Sequence, residues 1–276
     1  MTATIELGAK YQRLLAALAA RKQAVLAFSG GVDSTLLLHA AGQALGQGLL
    51  AVTCDTPYAP RAEIEAATAM ARSLGVRHRV LPVPIPEAIG DNPPERCYLC
   101  KKALFRLVLD LAAGEGIACV LDGTNLDDLG DYRPGRRALT ELGIESPLLE
   151  AGLTKADIRA LSREQGLPTW DKPAGACLLT RLPHGVRVTQ AELARIDAAE
   201  AWLRDIGFPA VRLRSHGELA RIEVPGEQVA ALVAANGRHG IVARLTALGY
   251  RHVAVDLAGY RMGSLNEKTA QPGETE

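Results

Sequence analysis

The segment Ala24-Val25-Leu26-Ala27-Phe28-Ser29-Gly30-Gly31-Val32-Asp33-Ser34 decides the fold. A short apolar run that stops at a serine and two glycines reads as a buried strand ending in a tight turn. From Ser34 to Gln43 apolar residues lie all round a helix. A strand feeding a glycine turn and then a helix is an anion site on first principles. Gly30 and Gly31 permit positive φ and let backbone approach a ligand closely. The free amides at the start of the helix point at negative charge. Ser29 and Ser34 add hydroxyl donors. Asp33 is the odd member, because a carboxylate beside phosphate is repulsive unless the two share a magnesium ion. A serine-capped structural turn would use some of these residues, but it has no need for so many specified positions in one short loop. The segment carries neither a Walker A sequence nor a dinucleotide glycine fingerprint, so kinases, GTPases and dehydrogenases fall away.

Working outward, Leu49 to Cys54 is a second strand that ends at Asp55, and Arg61 to Leu74 is a helix closed by Gly75. A third strand is expected at Val76–Val83, a helix at Lys101–Ala113, a fourth strand at Ile117–Leu121 and a further helix at Thr154–Gln165. Thr154 is that helix's expected N-cap, with Asp157 three residues on. Leu14 to Ala20 is Ala/Leu-rich and helical. Strands alternating with helices imply an α/β fold with a doubly wound parallel sheet and right-handed crossovers. Ligands of such sheets bind beyond the carboxyl ends of the strands. Ser29 to Ser34, Asp55 and Asp122-Gly123-Thr124-Asn125 should therefore converge. From Thr189 the pattern becomes helix (Gln190–Ile206), strand (Ala210–Arg214), strand (Leu219–Val224), helix, helix and strand (His252–Asp256), a smaller C-terminal α+β domain. The boundaries read as 1–167, 168–265 and a polar, disordered tail at 266–276.

Composition limits the function classes. The chain has 276 residues, 48% apolar and 22% charged, with 31 basic and 31 acidic side chains. Zero formal charge gives no expectation of a nucleic-acid partner. No stretch is apolar for long enough to span a bilayer, and Met1 to Lys10, with Glu6, does not read as an export signal. Five cysteines, an odd number in such a chain, point to the reduced cytoplasm, where thiols are free, catalytic or metal-bound.

Three of those cysteines fall in unusual surroundings. Pro82 to Pro94 holds five prolines and reads as a loop. At its end Arg96-Cys97-Tyr98-Leu99-Cys100-Lys101 opens a helix, and Cys177 lies in Lys172-Pro173-Ala174-Gly175-Ala176-Cys177. Thiolates near Arg96, Lys101 and Arg181 are expected to have lowered pKa values and to serve as nucleophiles or metal ligands. A Cys-x-x-Cys pair alone fits a redox couple or half a zinc site, with His184 the best candidate for a fourth ligand. Three cysteines without a fourth fit a 4Fe-4S cluster with one open iron. Cys119 and Cys54 read as core residues. Asp122 to Asp128, followed by Asp131-Tyr132-Arg133-Pro134-Gly135-Arg136-Arg137, packs acids and arginines into one loop, which suits magnesium and phosphate or carboxylate binding, or else a solvated salt-bridged loop. In Val211-Arg212-Leu213-Arg214 the strand period points both arginines to one face, as an anion site or an ordinary exposed face would have them.

The Ser29–Ser34 loop resembles that of the PP-loop ATP pyrophosphatases. Taken with Arg96–Lys102, Asp122–Ala138, Ser146-Pro147-Leu148, Trp170–Gly185, Ala220–Val224 and Val253–Asn266, the chain is similar to the LarE family over about Lys22 to Asn266. That resemblance implies an ATP-dependent sulfur transferase of nickel-pincer nucleotide synthesis. ATP would adenylate the carboxylates of pyridinium-3,5-biscarboxylic acid mononucleotide, and sulfur would displace AMP. It implies ATP at Ser29, Gly30, Gly31, Val32, Asp33, Ser34, Asp55 and Gly123, Mg2+ at Asp33, and chemistry at Cys177, Asp33 and Arg181. Substrate phosphate or carboxylate would meet Asp128, Arg133, Arg212, Arg214 and Glu200, although a surface-helix glutamate would read the same as Glu200. Within the family a single cysteine matching Cys177 either surrenders its own sulfur or joins two others on a 4Fe-4S cluster. With Cys97 and Cys100 present, this sequence resembles the cluster type. The resemblance also implies a homo-oligomer, a hexamer, and leaves the sulfur donor unknown. Two readings compete with it. One is another adenylating enzyme of the fold, a tRNA thiolase or an amide-forming synthetase. The other is a nucleotide-binding regulator without catalysis.

Overall fold

The computed structural model describes residues 2–130, 134–173 and 175–260, with side chains from Ile5 onward. It forms two compact units, Met1–Cys177 and Leu178–Glu276.

The first unit contains strands β1 (Ala24–Ala27), β2 (Leu49–Asp55), β3 (Arg77–Pro82) and β4 (Val120–Leu121). They form one sheet in the order β3-β2-β1-β4, every pair parallel. Helices α1 (Thr2–Ala20), α2 (Val32–Leu45), α3 (Arg61–Ser73), α4 (Arg96–Gly114), α5 (Gly135–Glu141), α6 (Pro147–Glu150) and α7 (Lys155–Glu164) surround it. Alternation along the strands supplies both faces. Leu26, Leu49 and Ala51 join a core with Leu14, Leu36, Ala67 and Ile158 from α1, α2, α3 and α7. Val25, Leu50 and Val52 join a separate core with Phe105, Val108 and Leu139 from α4 and α5. Burial on both faces explains why these strands read as unbroken apolar runs. From β1 the order runs to β2 on one side and to β4 on the other. The crevice where it reverses lies past Ala27 and Leu121, where such sheets bind ligands.

β4 is shorter than the Ile117–Leu121 expected, because regular pairing with β1 covers only Val120 and Leu121. α4 begins at Arg96, about a turn before the expected Lys101. α7 starts as read: Thr154 accepts from the Asp157 amide, and the Asp157 carboxylate accepts from the Thr154 amide, a closed capping box. Residues 168–173 are tied to this unit by Arg159, which donates to the carbonyls of Trp170 (2.7 Å) and Lys172 (2.9 Å).

In the second unit β5 (Arg212–His216) and β6 (Leu219–Glu223) form an antiparallel hairpin, and β7 (His252–Val255) lies parallel to β6. The helices are α8 (Gln190–Asp205), α9 (Val229–His239) and α10 (Ile241–Ala247). Leu193, Ile196, Ala199 and Leu203 of α8 and Val211 and Leu213 at β5 are fully buried. The α+β order expected from the pattern is the order found.

Candidate active site

The crevice past β1 is built from backbone. Gly31 caps α2 in extended conformation, and among the described residues no side chain caps the helix's first amides. Those amides are oriented donors where anions bind. Gly30 has φ +71°, and a Cβ there would stand 3.0 Å from the Ala67 Cβ of α3. Only glycine fits that backbone against that helix. Gly123 brings the end of β4 against the same loop, where a Cβ would stand 3.2 Å from the Ser34 amide nitrogen. Ser29 and Ser34 share a hydroxyl contact of 3.1 Å, and Ser34 Oγ also donates to the Gly31 carbonyl at 3.2 Å. Val32 is buried beneath the turn.

Asp33 sits in the first turn of α2 with its side chain 23% exposed. Lys155 Nζ pairs with its Oδ2, and Asn125 Nδ2 donates to its Oδ1 at 3.3 Å. Lys155 is itself placed by Asp127, whose carboxylate accepts from the Lys155 amide at 2.7 Å. Asp122 is buried and accepts from Thr124 Oγ1 (2.5 Å) and Ser146 Oγ (2.6 Å), with Lys101 Nζ at 3.9 Å. Asp128 is buried and accepts from the Asn125 amide at 3.1 Å, which shapes the loop that delivers Asn125. Arg136 donates to the Asp128 carbonyl at 3.0 Å, and Arg137 to Glu141 at 2.9 Å. Asp55 pairs with Arg61 at the start of α3. Arg133, with Asp131 and Tyr132, lies outside the described residues, as do Ala174 and the tail from 261.

The thiols gather on the same unit. Cys97 and Cys100 stand three residues apart in the first turns of α4, which puts both on one face. Cys97 is exposed, while Cys100 and Cys177 are half-buried. Cys100 lies close enough to Cys177, Cys97 and Cys54 to feel the charge of each. Burial and those neighbours push the Cys100 thiol up to about 12, against a hydrogen bond from Tyr58 that acts downward. The expected lowering of thiol pKa therefore fails at Cys100, where burial dominates. Burial likewise raises Cys54 to about 11 and the Tyr58 phenol well above its usual value. Cys119 packs beside the first core with its thiol on Glu145 at 3.3 Å. Among the described residues no group of three or more His, Cys, Asp or Glu side chains is drawn together as the cage of a single metal ion. Cys97, Cys100 and Cys177 supply soft thiolate donors, the ligand type of zinc and of iron-sulfur clusters alike. His184, the expected fourth zinc ligand, is exposed and belongs to the second unit.

Lys172 links the two groups. Its Nζ donates to the Gly30 carbonyl at 3.0 Å and to Glu63 at 2.6 Å, five positions before Cys177.

The second unit holds a distinct set. Glu200 is fully buried, not a surface-helix residue. Arg181 donates to both its oxygens, at 2.8 and 3.0 Å, and the Leu213 amide donates at 2.9 Å. Arg214 is buried against Glu223 at 2.8 Å and donates to the Thr180 carbonyl at 2.6 Å. Arg212 differs. It stacks on Tyr260 (5.0 Å to the ring centre) and donates to the Val211 carbonyl, and among the described residues it has no ion-pair partner. Burial, with Arg181 beside it, pulls its pKa below the usual arginine value. Its planar, charged guanidinium has the chemistry to take a carboxylate or phosphate.

Sequence reasoning missed Lys155, Lys172 and Tyr58. Lys155 had a weak signal, since it directly follows the capping Thr154. Lys172 stood in a segment already singled out. Tyr58 had no signal of its own.

Comparison with known proteins adds the following. The family model described as queuosine biosynthesis protein QueC matches residues 23–94, which span the loop and the first three strands. The chain is 39% identical over 264 residues to the pyridinium-3,5-bisthiocarboxylic acid mononucleotide synthase of Lactiplantibacillus plantarum, covering 95% of each protein. It is 42% identical to an uncharacterized protein of Synechocystis sp., over 88% of this chain and 92% of the relative. A further uncharacterized protein, from Methanocaldococcus jannaschii, is 31% identical over 87% of this chain and 91% of its own. No helix among the described residues is long and apolar enough to cross a membrane.

Proposed function

The chain belongs to the family of the pyridinium-3,5-bisthiocarboxylic acid mononucleotide synthase, and from that premise we propose that it is an ATP-dependent sulfurtransferase acting on the corresponding biscarboxylic acid nucleotide. A ring carboxylate oxygen attacks the α-phosphorus of ATP, and pyrophosphate leaves. A sulfur nucleophile then attacks the acyl carbon, and AMP departs with the former carboxylate oxygen. A second round treats the other carboxylate.

The backbone amides of Gly31–Ser34 and the close approach allowed by Gly30 and Gly123 receive the phosphates. Asp33 would hold Mg2+, offsetting phosphate charge. Both its oxygens already meet positive or donor groups, Lys155 and Asn125, so the cation takes over a position that charge favours. Freed from Asp33, Lys155 turns to the phosphates. Cys97, Cys100 and Cys177 would hold a 4Fe-4S cluster, which would supply labile sulfide as the sulfur nucleophile. In the second unit, Arg212 receives the substrate's phosphate or second carboxylate, while Glu200 and Glu223 hold Arg181 and Arg214 in place. Asp55 and Asp128 line or brace the nucleotide crevice. The protein works in the cytoplasm as a homo-oligomer, a hexamer assembled through the second unit, which offers exposed Val233, Val242 and Leu257 for self-association.

The observation that carries the reading is the Lys172 bond to Gly30, because it fastens the segment ending in Cys177 to the phosphate loop. One anaerobic incubation of protein loaded with iron and sulfide, with ATP, Mg2+, excess sulfide and the biscarboxylate nucleotide, tests it. The product should gain sulfur in place of oxygen at each carboxylate, with pyrophosphate released and the protein's own mass unchanged. A protein that has lost the elements of hydrogen sulfide at Cys177 would move the sulfur source from a cluster to the cysteine itself. A nucleotide recovered unchanged would reject sulfur transfer altogether.

A further inference from the structure

Tyr58 lies three residues past β2, in the turn that enters α3. It is 3% exposed, and its phenol oxygen meets Cys100 Sγ at 3.2 Å. Phenylalanine would fill this space as well as tyrosine does, so packing does not account for the hydroxyl. A buried hydroxyl requires a partner. Here the partner is not a backbone carbonyl but the half-buried Cys100 sulfur of the three-thiol group. The Thr56 side chain lies near enough to draw the phenol's pKa down, and Thr56 is itself 2% exposed, so the oxygen sits in an enclosed, polar corner. A thiolate, free or metal-bound, has lone pairs and no proton, so it can only accept. The phenol is then the donor.

We propose that Tyr58 is a positioning residue of the sulfur site, whose O–H donates to Cys100 Sγ, fixes the direction of that sulfur and stabilises the negative charge it carries when a soft metal centre is bound. The inference rests on the reading that Cys97, Cys100 and Cys177 form one site. Partners of this outer kind govern affinity and redox potential by orienting the ligand and spreading its charge. The turn after β2 thus links the strand that borders the nucleotide crevice to a ligand of the sulfur chemistry.

The test compares wild type with Tyr58→Phe by two readouts that do not use turnover. Cadmium ion, added alone to the metal-free full chain, is followed by thiolate-to-metal absorption. Tyr58→Phe should bind it roughly tenfold more weakly, at the low end of what losing an outer-shell partner costs. After anaerobic loading with iron and sulfide, the midpoint potential of the variant should lie below that of wild type, because the reduced, more negative centre loses a donor. A merely structural role would leave the potential where it was. Matching thermal melts show that the fold is intact. Should Tyr58→Phe not fold, Thr56→Val keeps the ring, removes the hydroxyl near the phenol, and should move both readouts the same way by less. Variants equal to wild type in both readouts would overturn the role of Tyr58 alone. A wild-type protein that takes up neither cadmium nor iron would sink the three-thiol reading, and Tyr58 with it.

Discussion

Asp33 in the first unit and Glu200 in the second are both carboxylates paired with cations, and they are held in opposite ways. Asp33 keeps 23% of its side chain exposed and faces one lysine and one amide, both able to swing away. Glu200 is 1% exposed and is gripped by both arms of Arg181, by the Leu213 amide and, at 3.4 Å, by Arg204. A part-exposed pair costs little to break and exchanges readily. A buried pair is costly to break, because the survivor is stranded away from water. The contrast separates a group free to change partners from one that keeps a neighbour still.

The largest effect should come from Glu200→Ala. It takes from the buried Arg181 the carboxylate that accepts from its Nε and Nη2, and from the Leu213 amide its acceptor. The expected loss is about 3–5 kcal/mol of the second unit's stability, read by urea unfolding. Glu200→Gln, which keeps an acceptor, should lose less. A urea midpoint unmoved in Glu200→Ala would break the comparison on its buried side.

Asp33→Asn should behave in the reverse sense. Lys155 is 33% exposed and relaxes into solvent, so stability should change by less than about 1 kcal/mol. Pyrophosphate release should fall by about 10²–10³-fold, the scale of removing one preorganised electrostatic group from a reacting centre. Unchanged pyrophosphate release would remove Asp33 from the chemistry and leave the phosphate loop as a structural turn.

How much of this was legible in the sequence follows from distance along the chain. The loop Ser29–Ser34, the strands that feed it and the Thr154–Asp157 cap are local, so residue type and spacing specify them. The convergence of Gly123 with Ser34 was legible at one remove, through the rule that places ligands past parallel strands. Lys155 reaching Asp33 spans 122 positions and Tyr58 reaching Cys100 spans 42, and no period or motif marks either contact. Glu200 misleads for another reason. A charged residue amid α8's polar ones reads as a solvated face, and only the packing of α8 on β5 puts it inside with Arg181. The cysteines show the same limit in their chemistry. Flanking cations suggested lowered thiol pKa values, but enclosure is a tertiary property, and at Cys100 it prevails.

The smallest effect sharpens the exposed side of the comparison. Lys155 is the first residue of α7, and the box formed by Thr154 and Asp157 fixes where that helix starts. Burial pushes the Asp157 carboxyl up, but Lys10 at 2.7 Å and the Thr154 amide at 3.0 Å outweigh it, so its pKa lies below the ordinary 3.8. A depressed carboxylate contributes stability that is fully present above the unfolded value and is lost as pH falls through the folded one. Asp157→Ala should therefore cost about 1 kcal/mol at neutral pH, the usual worth of a helix cap. The gap to wild type should narrow as the pH drops below about 4, where the native carboxylate itself takes up a proton. Pyrophosphate release should fall only slightly, because Asp127 still holds the Lys155 amide. A gap that widens in acid would mean that Asp157 is protonated in the fold, and a large loss of activity would mean that Lys155 depends on the cap and not on Asp127. The second result would tie the Asp33–Lys155 pair to the scaffold, as Glu200 and Arg181 are tied, and make it less exchangeable.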